Sequence, residues 1–314
     1  MGMRIRFTRG AGTASLAALA LVPIAACSGG APDGTAAEVS AQESLGMAAK
    51  DTLPAGVEQA FTELEEEHDA RLGVYAVDTG SQEELAYRAD ERFAYCSTFK
   101  ALAVGALLRE HPEEKLDEVV TYSEEDVIGY SPITEKHVDT GMSLRDIGDA
   151  AVRYSDNTAG NLLFEQFDGP KGLQAELREI GDETTSMDRY ETDLSEAVPG
   201  DERDTSTPRA LAADLREYTL GDSLTDSEQE YLTDLLERNT TGDKLIRAGV
   251  PDDWKVGDKT GSGGYGTRND IAVVHPPDGD PIVIAIMTSR DEKDAERREA
   301  LVADAAEVVA DTLG

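Results

Sequence analysis

Strand-like apolar runs stand near both ends of this chain and a long helix-patterned stretch separates them, which restricts the folds open to it. Residues 71–78 alternate apolar and small side chains in the manner of a strand, and Thr79-Gly80 turns the chain back toward a second strand near residues 85–87. Far along the sequence, residues 270–274 and 282–287 are β-branched runs joined by Pro276-Pro277-Asp278-Gly279-Asp280, a hairpin-type connection. Helical periodicity marks residues 57–68, 144–153, 159–167, 211–220, 228–236 and, as an amphipathic helix, 295–313. Strands so far apart bury their apolar faces together only if the two ends of the chain meet. The expected fold class is therefore α/β (α+β): an antiparallel sheet built from both termini and flanked by helices, with an inserted all-helical lobe. The sheet lobe is expected at about residues 51–95 and 237–314 and the helical lobe at about 96–236. A cleft forms where two such lobes meet, a common place for a ligand.

The first residues read differently. Arg4, Arg6 and Arg9 precede an apolar stretch over residues 14–26 that ends Ile24-Ala25-Ala26-Cys27. This is the pattern of a secretory signal, too short and too punctuated to span a membrane permanently. The cysteine at its exit looks like a bacterial lipobox, which implies cleavage before Cys27 and lipidation of its thiol. Residues 28–50, rich in Gly, Ala, Ser and Thr, read as a flexible tether, and residues 51–314 as the folded domain. The expected location is the extracellular face of the cell membrane, or the medium. Cys27 and Cys96 are the only cysteines, so with Cys27 lipidated no intrachain disulfide forms and stability rests on the core.

Charge removes some partners. The chain has 29 Lys and Arg against 64 Asp and Glu, a net charge of −35; the three signal arginines carry +3 of it, leaving −38 without them. Such a protein repels a phosphate backbone, so no nucleic acid partner is expected. The surface suits a salty or extracellular medium. The four histidines, His68, His111, His137 and His275, form no pair at metal-binding spacing, and neither metal nor cofactor is expected.

Four short segments carry reactive groups. Ser97-Thr98-Phe99-Lys100 precedes an apolar run over residues 101–108. A serine and a lysine three apart share a helix face, so the amine can sit against the hydroxyl and activate it. The same residues also suit a helix cap with a snorkelling lysine. Tyr154-Ser155-Asp156-Asn157 lies just before a helix, where serine or asparagine caps as a matter of course. Asp258-Lys259-Thr260-Gly261-Ser262-Gly263-Gly264 follows the strand-like Trp254-Lys255-Val256, with glycines that permit close approach of a ligand to backbone. Glu191-Thr192-Asp193-Leu194-Ser195 lies in a loop-like region that ends near Thr207-Pro208.

Taken in order, Ser-x-x-Lys, Ser-Asp-Asn, Glu-x-x-Leu and Lys-Thr-Gly resemble the motifs of class A serine β-lactamases, of the actinobacterial type, over essentially the whole mature length. The resemblance implies a β-lactamase/transpeptidase-like fold and hydrolysis of the amide of penicillins and cephalosporins through an acyl-serine intermediate, conferring antibiotic resistance. It implies Ser97 as nucleophile, with Lys100 against its hydroxyl and made partly neutral by a second cation, Lys259. Ser155 would relay a proton to the lactam nitrogen and Glu191 would activate the deacylating water. Whether Lys100 or Glu191 takes the serine's proton stays open at this level. Backbone N–H groups of Ser97 and Ser262 would form the oxyanion hole. Substrate would contact Tyr130, Asn157, Ser195, Thr260, Gly261, Ser262 and Arg268, the last holding its carboxylate; Leu245, where some relatives place an arginine, agrees with that. Arg268 also suits a cross-strand ion pair, and Tyr130 ordinary packing.

Two departures stand out. Ser195 occupies a position where the family usually has asparagine, so slower or altered deacylation is expected. Cys96 matches a cysteine that some carbapenem-hydrolysing relatives use in a disulfide, but its partner position here is Gly263, so that bridge cannot form. Penicillin-binding proteins share the first, second and fourth motifs but not the glutamate loop. A D-alanyl-D-alanine peptidase and a non-hydrolysing β-lactam receptor are the alternatives. The expected partner is a small β-lactam, with membrane contact only through Cys27 and the protein a monomer.

Overall fold

The computed structural model describes residue 53 and residues 56–314; the signal, Cys27 and the tether over residues 28–50 lie outside the described residues. Helix α1 (Val57–His68) leads into strands β1 (Arg71–Asp78) and β2 (Glu84–Tyr87). The short strand β3 (Phe93–Ala94) and a 3-10 turn (Cys96–Thr98) introduce α2 (Phe99–Glu110). After β4 (Val119–Val120) and β5 (Met142–Ser143) come α3 (Leu144–Arg153), α4 (Asn157–Glu165) and α5 (Pro170–Glu179). Strand β6 (Thr205–Ser206) precedes α6 (Pro208–Leu220) and α7 (Asp226–Glu237). The short α8 (Ile246–Gly249), strands β7 (Lys255–Ser262), β8 (Arg268–His275) and β9 (Ile282–Ser289), and helix α9 (Glu299–Leu313) complete the chain.

The main sheet has the order β2-β1-β9-β8-β7, antiparallel throughout. Its two sequence-distant parts join along β1 and β9, where Val74 lies opposite Ile286, so the sheet assembles from both ends as the apolar runs imply. Both faces are covered. Leu72, Val74 and Ala76 pack with Phe61, Leu301 and Val309 from α1 and α9, while Tyr75 and Val77 face the helical lobe with Phe99 and Leu215. A strand buried on both faces has no polar side to show, which is why these segments read as near-continuous apolar runs. Helix α2 is buried from Phe99 to Leu108 because it runs through the middle of the helical lobe.

Three local differences from the sequence reading bear on the site. The last helix begins at Glu299 rather than 295, leaving residues 295–298 outside it. Helix α4 starts at Asn157 because Asp156 caps it, its carboxylate accepting the Ala159 N–H at 2.9 Å. Lys259-Thr260-Gly261 does not follow the strand begun at Lys255 but lies inside it, in β7, which pairs with β8 over its whole length, from Lys255 opposite His275 to Ser262 opposite Arg268. Strand β7 ends the order of the sheet, so its outer edge is free to border the cleft.

Candidate active site

The 3-10 turn and the first turn of α2 set Ser97 and Lys100 on one face. Lys100 Nζ donates to Ser97 Oγ at 3.0 Å, to the Ser155 carbonyl at 3.0 Å and to Asn157 Oδ1 at 2.8 Å. Ser97 does not cap α2; its hydroxyl donates to Glu191 Oε1 at 2.9 Å. Lys100 Nζ lies 2.9 Å from the same oxygen, which closes a buried triangle of hydroxyl, ammonium and carboxylate. Room for the lysine depends on Gly160 of α4, where a Cβ would stand 2.6 Å from Lys100 Cε.

Burial lowers the pKa of Lys100, opposed by the neighbouring Glu191 carboxylate. The sequence reading assigned this lowering to Lys259; desolvation is instead its principal cause, and the repulsion between the two amines is felt at Lys259. Burial first, and Lys100 second, push Lys259 down to about 7. Lys259 Nζ donates to Ser155 Oγ at 3.0 Å and to its neighbour's carbonyl, that of Thr260, at 2.8 Å. Ser155 thus bridges the two amines, its hydroxyl on Lys259 and its carbonyl on Lys100. Its backbone is left-handed (φ 55°), as are those of Cys96 (51°) and Tyr130 (62°). Non-glycine residues in that region cost on the order of 1 kcal/mol each and cluster at functional sites.

Glu191 is held from several sides. Asn161 of α4 accepts the Glu191 N–H at 2.9 Å and donates to the Glu191 carbonyl at 3.1 Å, while Ser195 Oγ donates to Glu191 Oε2 at 3.2 Å. The loop itself is anchored on buried Asp204, which accepts the N–H groups of Asp188 and Arg189, Arg189 Nε at 2.5 Å and the Tyr95 hydroxyl at 3.3 Å. Asn161 escaped the sequence reading; its spacing of four from Asn157 on one helix face was the available signal.

The wall formed by β7 and β8 is built around Arg268. Its Nη1 donates to Ser262 Oγ at 2.6 Å, its Nη2 to the Thr241 carbonyl at 3.2 Å, and Nη2 lies 3.4 Å from Glu299. Arg268 therefore lines the cleft and forms an ion pair at once, though with α9 rather than across the strands. Thr260 shares a 2.7 Å hydrogen bond with Thr241, to which the sequence reading gave no role at the site. Leu245 is buried in the core on the far face of the sheet. Gly261 borders the Ser97 turn, not the cleft. A Cβ there would lie 2.7 Å from the Tyr95 carbonyl, so only glycine lets β7 come close enough to set Ser262 beside Ser97. Cys96 is a buried free thiol, pushed up to about 12 by burial. A Cβ on Gly263 would stand 2.7 Å from its sulfur, so the two positions are spatial neighbours without a second sulfur to bond.

The cleft encloses about 1080 Å³ and is lined by Ser97, Tyr130, Ser155, Asn157, Glu191, Ser195, Thr260, Ser262 and Arg268, with Lys100 and Lys259 fully buried beneath. Tyr130 is 64% exposed, so it is a rim residue and not core packing. Thr240, Thr241 and residues 293–297 also border the cleft, although the sequence reading gave them no role there. A hydroxyl with acceptor and amine within 3 Å, and a second hydroxyl wired to a second amine, is the arrangement that covalent acyl transfer requires.

Comparison with known proteins agrees with this chemistry. The model of a family described as the beta-lactamase enzyme family matches residues 56–313. The beta-lactamase of Amycolatopsis lactamdurans is 61% identical over 269 residues, covering 86% of this chain and 89% of that protein. Beta-lactamase 1 of Streptomyces cacaoi is 50% identical over 99% of this chain and 100% of its own length. Among solved structures, a halotolerant bacterial beta-lactamase superposes with a TM-score of 0.79 at 61% identity, covering 81% of this chain and 98% of that one. A class A beta-lactamase from Clostridium kluyveri gives 0.80 at 50% identity, covering 81% and 97%.

Proposed function

The chain belongs to the beta-lactamase enzyme family, as a class A serine enzyme that hydrolyses β-lactams, and on that premise we propose how its own residues divide the reaction. Ser97 Oγ attacks the lactam carbonyl and gives its proton to Glu191, the carboxylate its hydroxyl faces. Lys100, held to both, stabilises the charge that passes between them. The developing oxyanion is received by the backbone N–H groups of Ser97 and Ser262, each such donor contributing about 3 kcal/mol. As the ring C–N bond breaks, Ser155 delivers its proton to the leaving nitrogen and is resupplied from Lys259. Before deacylation Glu191 releases that proton to the open cleft and Lys259 regains one, which restores both groups. Glu191 then takes a proton from water as the water oxygen attacks the ester carbonyl, and returns it to Ser97 Oγ as the acyl–oxygen bond breaks. Asn157 and the Thr260, Ser262 and Arg268 wall hold the substrate's amide and carboxylate.

One observation carries this division: a carboxylate oxygen 2.9 Å from the nucleophile, where a base against the ester must stand. An acyl-serine without such a base persists, which is the behaviour of a penicillin-binding protein or a receptor. Steady-state hydrolysis of a chromogenic cephalosporin by wild type, Ser97→Ala and Glu191→Ala is the test. Both substitutions are expected to abolish turnover. In Glu191→Ala, Lys100 against the hydroxyl remains as a slower acceptor for the Ser97 proton, so an acyl adduct forms and persists by mass spectrometry, and in Ser97→Ala none forms. A wild-type adduct lasting hours would overturn the assignment.

The same reading places the enzyme outside the cell as a monomer, tethered by a lipid on Cys27 and contributing to antibiotic resistance. It is supported by Arg4, Arg6 and Arg9, the apolar stretch after them and the small residues before Cys27. Cys27→Ser is expected to move the enzyme from the membrane fraction to the soluble fraction; an unchanged distribution would refute the anchor.

A further inference from the structure

Cations are scarce here, and most that the structure describes are neutralised: Arg71, Arg88, Arg189 and Arg247 each lie within 3.0 Å of a carboxylate oxygen. Lys293 and Arg297 are exceptions. Both are exposed, both border the cleft, and neither forms an ion pair among the described residues. They lie in the non-helical stretch before α9, which is fastened to the turn between β7 and β8. The Tyr265 N–H donates to the Lys293 carbonyl at 3.0 Å, the Arg290 N–H to the Tyr265 carbonyl at 2.7 Å, and Arg297 Nη2 to the Gly263 carbonyl at 3.5 Å. Lys293 also borders a side cavity of about 290 Å³ whose walls include Ser195, Glu196 and Gly264, so it stands where the cleft continues past the glutamate loop. Acidic groups share this rim: Glu296 lies 3.6 Å from Arg298, and Asp294 adjoins Lys293.

Resting on the hydrolase reading of the cleft, we propose that Lys293 and Arg297 form a second anion subsite, beside the Arg268 wall, that recognises a carboxylate at the far end of a β-lactam's acyl side chain. In a chain this acidic, a substrate with two carboxylates is doubly repelled at long range, and unpaired cations on the rim are the groups able to offset that locally. Gly263 and Gly264 put no side chain between the rim and the nucleophile's wall. The ring carboxylate keeps its place at Thr260, Ser262 and Arg268, and the distal one reaches the rim.

The test compares two penicillins that differ only at the end of the side chain, an adipoyl compound with a terminal carboxylate and its hexanoyl analogue. The readout is the ratio of their kcat/KM values. In the double variant Lys293→Ala, Arg297→Ala the adipoyl-to-hexanoyl ratio is expected to fall about three- to ten-fold at low ionic strength, the range of two exposed ion pairs, and less in high salt. A ratio equal to that of wild type overturns the subsite while leaving the hydrolase intact. Failure of wild type to turn over either compound overturns the hydrolase reading and the subsite with it.

Discussion

At the scale of the residue, the two oxygens of Glu191 have different duties. Oε1 serves Ser97 and Lys100, and Oε2 takes one hydrogen bond from Ser195. A serine hydroxyl offers a single donor, whereas an asparagine amide at the same place offers two donors and an acceptor with which to hold both carboxylate and water. Ser195→Asn is therefore expected to speed deacylation about five-fold, the worth of one additional hydrogen bond of about 1 kcal/mol, with acylation unchanged. Stopped-flow burst kinetics separates the steps; a slow phase equal to that of wild type would show that Ser195 does not limit the reaction. The sequence made Ser97 and Lys100 legible because a spacing of three on one helix decides their proximity locally. It did not reveal the roles of Asn161 and Thr241, whose partners Glu191 and Thr260 are 30 and 19 residues away.

At the scale of the element, α6 meets the end of α5 through two carboxyls. Asp214 on α6 and Asp182 just beyond α5 are both buried, and each has an Oδ2 without a hydrogen-bond partner. Burial first, then the neighbouring Asp182, hold the Asp214 carboxyl protonated well above the ordinary carboxylate range. The folded protein thus keeps a proton that the unfolded chain releases near its ordinary value of 3.8. Its contribution to stability is complete below that pH and is lost as pH rises toward the folded pKa. Asp214→Asn stays neutral at every pH and brings an amide N–H that can donate toward Asp182. It is expected to raise stability by about 1–2 kcal/mol at pH 8, some 2–8 °C in Tm, and by nothing at pH 4. Melting curves at the two values decide it, since equal shifts at both would mean that the carboxyl is not protonated. Elements were legible where periodicity was strong, as in α1, α3 and β1. Helix α5 was not anticipated, although Gly169-Pro170 marks its start. Strand β7 was legible only at Trp254-Lys255-Val256, because Gly257 and Gly261 weaken the strand pattern and pairing with β8 is what keeps them extended.

At the scale of the whole molecule, charge acts on every substrate. The net charge of −35, or −38 without the signal arginines, repels an anionic penicillin before Lys259 and Arg268 can attract it. Salt screens the distant repulsion beyond about 8 Å and weakens the buried contacts much less. Catalytic efficiency on a penicillin is expected to rise from low salt to about 0.5 M NaCl, and less so for a zwitterionic cephalosporin; a flat or falling profile would disprove it. The apolar runs at both ends were enough to determine the fold class, and the order of four motifs the chemistry through the family they resemble, because both depend on residue types and short spacings that a chain displays without being folded. Tertiary structure alone decided which groups meet. It joined Ser97 directly to Glu191, made burial rather than Lys259 the main reason the Lys100 pKa is lowered, turned Gly261 into the contact that sets β7 against the nucleophile, and left Lys293 and Arg297 on the rim without an ion pair among the described residues. Those outcomes rest on distances and desolvation, which exist only once segments far apart in sequence are packed together.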